Sequence, residues 1–127
     1  MNILVFDLET IPDAVSGGKL YDLQGSNAEI IAAMRELRMA QTNGSSDFMR
    51  HHLQQIVAIS VVFATPEKFS VFSVGEPHAT EAEILQRFFE GIEKYCPVLI
   101  SWNGSGFDLP VLHYRALLHG ITAARYW

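Results

Sequence analysis

The chain carries a single cysteine, Cys96, in 127 residues, so no internal disulfide can form and a stapled mini-fold is excluded. Cys96 precedes Pro97 and is expected to be a small packing residue. Long apolar runs are also lacking. The longest, Ile56 to Ala64, is broken by Ser60 and falls far short of the roughly 20 residues a helix needs to cross a bilayer, so no membrane partner is expected. Positive charge is scarce: the formal net charge is −5, which argues against coating duplex nucleic acid by charge alone. A nuclease stays open, because a metal site concentrates carboxylates and its cations repair the sign locally. The first residues, MNILVFDLET, have no basic segment and meet acids at once, unlike a signal peptide, so a cytoplasmic location is expected.

What is present is a globular composition, 49% hydrophobic and 18% charged, enough for one domain with a real core. Residues Asn2 to Phe6 read as a short buried strand ending at Asp7, with Ile11-Pro12-Asp13 and Ser16-Gly17-Gly18 as stop signals. Ile30, Ile31, Met34 and Leu37 recur at helical spacing between Asn27 and Met39, and Gln41 to Asp47 is a polar loop. Together these look like a helical insertion, at about residues 16–54, within a single domain spanning residues 1–127. Gln55 to Ala64 and Lys68 to Val74 read as an antiparallel pair joined through Pro66. Thr80-Glu81-Ala82-Glu83 is a capping box ahead of an apolar stripe, Ile84, Leu85, Phe88, Phe89 and Ile92. Val98 to Ser101 is a further strand, and Asp108 caps a last helix after the WNGSGF turn. The order predicts an α/β layer architecture with a mixed sheet.

Two places could carry chemistry. In Asp7-Leu8-Glu9-Thr10, strand alternation puts both carboxylates on one side, about 6.6 Å apart along the chain, with Leu8 pointing into the apolar layer. Adjacent carboxylates repel unless a cation sits between them, and a hard divalent ion with oxygen ligands is the simplest remedy. Both acids could equally lie in solvent past the strand end. The second place is Asp108, either an ordinary helix cap or an acid facing the first pair, with Gly104 and Gly106 as turn formers or as room for a substrate backbone. Phe107 could stack on a base or sit in the core. The five histidines lack zinc-helix spacing, and no phosphate loop or G-x-S-x-G elbow occurs.

Strand-FDLET near the start and WNGSGFDLP opening a helix a hundred residues later form a joint pattern. It resembles the DEDD (DnaQ-like) 3′–5′ exonuclease superfamily of the ribonuclease H-like fold, and more narrowly the predicted exonucleases related to proofreading domains of family B DNA polymerases. The resemblance implies a mixed sheet with strands 1–3 antiparallel and a parallel fourth strand, with helices on the faces. It implies two-metal phosphodiester hydrolysis at single-stranded DNA 3′ ends, RNA not being excluded, with Mg²⁺ or Mn²⁺ as cofactor. Asp7, Glu9 and Asp108 would be the catalytic metal ligands, Leu8 and Thr10 would border the terminal nucleotide, and Asn103 and Phe107 would hold the strand beside it.

The family's third motif, Tyr-x-x-x-Asp or His-x-x-x-x-Asp, has no counterpart here, since no Asp follows Asp108. The expectation is a truncated domain lacking a last strand and helix, inactive or nearly so, and able to self-associate through the sheet face that helix would cover. Two other classes share some of these residues. An Mg²⁺-dependent aspartyl phosphatase would use Asp7 as nucleophile, although Glu9 stands where its second Asp belongs. A non-catalytic ribonuclease H-like nucleic-acid-binding scaffold would use the same groove without cutting.

Overall fold

A computed structural model describes residues 1–127, and the chain divides into two compact units, Met1–Thr10 with Ile56–Trp127, and Ile11–Gln55. The strands are β1 (Ile3–Pro12), β2 (Gln54–Ala64), β3 (Phe69–Ser73) and β4 (Val98–Ile100). The helices are α1 (Ala14–Leu20), α2 (Asn27–Gln41), α3 (Glu81–Tyr95) and α4 (Asp108–Leu118). The four strands form one mixed sheet in the order β3-β2-β1-β4, consistent with a ribonuclease H-like fold. β1, β2 and β3 run antiparallel, whereas β4 is parallel to β1 with Val5 opposite Ile100.

In the first unit, period-2 alternation decides which face is buried. Leu4, Phe6 and Leu8 of β1 and Ile59 and Val61 of β2 enter the core, where they meet Ile84, Leu85, Phe88, Phe89 and Ile92 of α3. Val111, Leu112 and Ala116 of α4 join the same core. The Phe6 and Phe88 rings lie 5.2 Å apart, and each fully buried side chain of this size contributes about 1.5–3 kcal/mol. The capping box at the start of α3 forms in full, Thr80 accepting from the Glu83 N–H and Glu83 from the Thr80 N–H. Both helices therefore serve one face of the sheet. The opposite face presents Val5, Val98, Ile100, Phe69 and Val71 to solvent.

In the second unit α1 packs on α2, and Met34, Met49 and Leu53 form a small core flanked by Tyr21, Leu23 and Ile30. Asp13 caps α1 by accepting from the Ser16 N–H at 3.0 Å.

Three local expectations are corrected. The first strand continues to Pro12, so the D-L-E-T stretch lies within it, because the acids occupy its exposed face and do not break the alternation. Ser16-Gly17-Gly18 is helical rather than a stop: a side chain at Gly17 would collide with the Met34 thioether, so glycine is there for close helix packing. Cys96 is exposed, not packed, and ends α3 in the left-handed conformation at φ 44° just before Pro97.

Candidate active site

Asp7 and Glu9 project from the exposed face of β1, two residues apart, while the Leu8 side chain lies in the core. Asp108 approaches from another element. It is the first residue of α4, and the helix is preceded by Phe107 with no side-chain cap bond. Asp108 is thus not the capping residue expected: it stands at the first helical position with Phe107 before it, and its carboxylate is buried, with 3% of the residue exposed. There it accepts a hydrogen bond from the Ser101 hydroxyl at 2.9 Å and is supported by backbone N–H groups of its own residue and of Leu8.

The electrostatics of this carboxyl are mixed. Burial pushes its pKa above the ordinary carboxylate value, and the nearby charge of Asp7 pushes the same way, while the Ser101 hydroxyl and the backbone donors oppose them. The Leu8 hydrogen bond ties Asp108 to β1 beside Asp7, close enough for the charge of Asp7 to act on it. Leu8 contributes through its backbone, its side chain being committed to the core. Ser101 was not foreseen; its only sequence signal is a small polar residue at the strand end, seven positions before the acid.

The WNGSGF turn closes on itself. Asn103 adopts φ 54°, a left-handed conformation that Asn tolerates better than most residues, and its carbonyl accepts from Gly106 and Phe107. A Cβ on Gly106 would lie 2.5 Å from Asn103 Oδ1, so the room left by this glycine is filled by the Asn103 amide and not by a substrate backbone. Phe107 is half-buried and packs against the core. Thr10 is half-buried at the end of the first unit's share of β1.

The position of α4 rests on a buried ion pair. Arg115 lies seven residues beyond Asp108, two turns along α4, and its Nε donates to both Glu81 carboxylate oxygens at 3.1 and 2.9 Å. Its Nη2 donates to Glu81 Oε1 at 2.6 Å, with the two side chains only 3% and 5% exposed. His119 Nε2 lies 2.7 Å from the same oxygen, and the Ile56 N–H donates to Oε2. One carboxylate at the start of α3 therefore ties the end of α4 to β2.

Comparison with known proteins decides the family. Residues 46–127 match the model of a family described as predicted 3′–5′ exonucleases related to the exonuclease domain of PolB. The chain belongs to this exonuclease family. The matched span contains Asn103, Phe107 and Asp108, and Asp7 to Thr10 lie before it. The chain is also 43% identical over 47 residues to DNA polymerase 1 of Sulfurisphaera ohwakuensis, an alignment covering 37% of this chain and 5% of the polymerase. It is 40% identical over 57 residues to the DNA polymerase epsilon catalytic chain of Saccharomyces cerevisiae, covering 44% of this chain and 2% of that polymerase. No solved structure matches the chain. The exonuclease-family chain thus spans only a small fraction of these polymerases, and by family it is a nuclease.

The acids can be tested against the divalent ion that such a domain implies. Asp7 and Asp108 offer hard oxygen donors, and the buried Asp108 carboxylate meets a second acid without a nearby cation, a deficit that a divalent ion would relieve. No group of three or more His, Cys, Asp or Glu side chains converges closely enough to hold an ion by itself, so Glu9 does not complete a cluster in this arrangement. The donor chemistry fits, with two carboxylates gathered and a third along the same strand face. No helix is long and apolar enough to cross a membrane.

Proposed function

We propose that this exonuclease-family domain removes nucleotides from 3′ ends of single-stranded DNA, with Asp7, Glu9 and Asp108 holding Mg²⁺ or Mn²⁺. The observation that carries the reading is the buried Asp108 carboxylate, drawn from α4 to the Leu8 N–H and into the field of Asp7. When bound, the divalent ions polarise the phosphate and lower the pKa of an attacking water. The residues do the rest of the work. Ser101 and the Leu8 N–H fix the orientation of the Asp108 carboxylate, β1 sets the spacing of Asp7 and Glu9, and Thr10, Asn103 and Phe107 border the strand end. Leu8 acts there through its backbone.

No Asp or Glu follows Asp108 in the sequence, so no further acid from α4 onward supplements these three. Turnover by this chain alone is therefore proposed to be slow, since a single positioned acid–base group contributes typically 10²–10⁴-fold. The domain is further proposed to act in the cytoplasm, in repair or proofreading, and to self-associate through the exposed sheet face.

The test pairs binding with chemistry. Manganese titration by calorimetry on the chain, Asp7→Ala and Asp108→Ala should give a signal that both substitutions abolish. Shortening of a 5′-labelled oligonucleotide from its 3′ end should need Mg²⁺ or Mn²⁺ and be lost in the same variants. The absence of a converging acid triad favours one alternative, a non-catalytic scaffold. Single-strand binding untouched by chelator and by Asp7→Asn, with no shortening, would establish that scaffold and refute the exonuclease reading.

A further inference from the structure

Two features of the first unit remain without a role in the site described so far: an exposed tryptophan and the hollow beside it. Trp102 opens the turn between β4 and α4 and is 92% exposed, the most exposed of the large apolar side chains. No other ring packs against it, whereas Trp127 sits among Phe89, His113 and Tyr126. An indole left in water forgoes a large apolar gain, so its outward placement calls for a partner.

The hollow gives that partner a chemistry. Trp102 and Asp7 line the same depression over the open sheet face, whose floor is made by Val5, Ser60, Val62 and Val71. Asp7 is its one charged group, and no Lys or Arg lines it. Apart from a phosphate reached through a cation at Asp7, phosphate is therefore not what this surface recognises. An aromatic plane above an apolar floor suits the flat face of a nucleobase, and stacking of this kind tolerates any base. The indole is also indexed to the acids: its chain neighbour Ser101 donates to Asp108 at 2.9 Å, and the following residue, Asn103, holds the turn closed. Phe107, the other aromatic of the turn, is half-buried and packs one side against the core.

We infer that Trp102 is the stacking platform for a base of the single strand whose terminal phosphate lies at Asp7 and Asp108. The inference rests on the proposed exonuclease site and adds a positioning residue to it. It assigns base contact to a side chain that lies outside the acidic pair and away from the core.

The experiment uses Trp127→Phe as the background, so that Trp102 is the sole tryptophan. Titration with a thymidine tetranucleotide in Ca²⁺ should quench the fluorescence, and an all-abasic tetranucleotide should bind more weakly. In the chain with Trp127 intact, Trp102→Ala should weaken tetranucleotide binding by about tenfold or more, as expected for loss of one stacked base. It should also erase the preference over the abasic strand, leave the melting temperature unchanged, and be largely rescued by Trp102→Phe. Asp7-dependent binding that Trp102→Ala leaves intact would overturn the stacking role while the exonuclease reading stands. Failure of the parent chain to bind either strand would overturn both. Quenching that follows protein concentration without any strand, and that the tetranucleotide does not displace, would identify a second copy as the occupant of the indole and overturn the inference.

Discussion

The ion pair under α4 gives the sharpest test of how the site is held. Arg115→Met removes the guanidinium that donates three hydrogen bonds to Glu81 and leaves a carboxylate that is 5% exposed facing a methionine. Breaking one side of such a pair costs about 3–5 kcal/mol, because the remaining charge stays buried with only the His119 ring and the Ile56 N–H left to compensate it. A domain of this size loses about 4 °C of melting temperature per kcal/mol, so the expected fall is about 12–20 °C. Adding Glu81→Gln to Arg115→Met removes the stranded charge while keeping an acceptor for the Ile56 N–H, and the combined loss should shrink to about 1–2 kcal/mol. The double variant is thus expected to melt higher than the single one, the reverse of additive behaviour. Thermal unfolding followed by circular dichroism reads this directly. A double variant that melts below Arg115→Met, or a single variant within a few degrees of the parent, would refute the argument that burial of Glu81 without its Arg115 partner dominates.

Two further outcomes follow from other parts of the first unit. Burial lowers the His113 pKa, and its Nε2 lies 3.1 Å from the Tyr126 hydroxyl, which burial keeps protonated to higher pH. The unfolded chain then binds the His113 proton more readily, so stability should rise with pH through the window from the lowered value to the ordinary value of about 6.5, and be lost on acidification. The difference in urea midpoint between the parent and His113→Gln isolates this from His119, and an unchanged pH slope would contradict it. At the sheet edge, all five residues of β3 are exposed and Val71 faces the open side opposite Val62. Sedimentation should show a larger species at rising concentration that Val71→Lys suppresses, because a charge on an edge strand blocks edge and face pairing, and a monomer throughout would exclude self-association.

Much of the fold is legible because its signals are local and redundant. The α3 stripe, Ile84, Leu85, Phe88, Phe89 and Ile92, is buried at all five positions, and its capping box forms as the pattern Thr80 to Glu83 requires. The β2–β3 hairpin and the strand at Val98 are legible for the same reason, since β-branched runs bounded by turns have few other uses. The misreadings come from residues with two meanings. Acids at Asp7 and Glu9 look like the end of a strand, yet on an exposed sheet face they leave the alternation intact through to Pro12. Gly17 and Gly18 look like a turn, yet Gly17 is where Met34 of a neighbouring helix needs the space, which depends on a contact seventeen residues away.

Asp108 shows how the same ambiguity hides the site proposed for this chain. In sequence, an acid before Leu-Pro at a helix start is indistinguishable from an ordinary cap, because both uses favour Asp in that place. What separates them is a register that only the assembled sheet provides. Parallel pairing of β4 with β1 sets Ile100 beside Val5, so the chain leaves β4 at Ser101 next to the stretch of β1 that carries Asp7 and Leu8. The helix then begins one residue early, at Asp108 itself, and its carboxylate accepts from the Ser101 hydroxyl and the Leu8 N–H as well as from its own N–H. Burial of that acid beside Asp7 disfavours its ionised form, a cost that the Ser101 and backbone hydrogen bonds oppose. A divalent cation bound by the pair would offset that cost, and this is the physical argument behind the proposal that puts exonuclease chemistry at this junction of β1, β4 and α4.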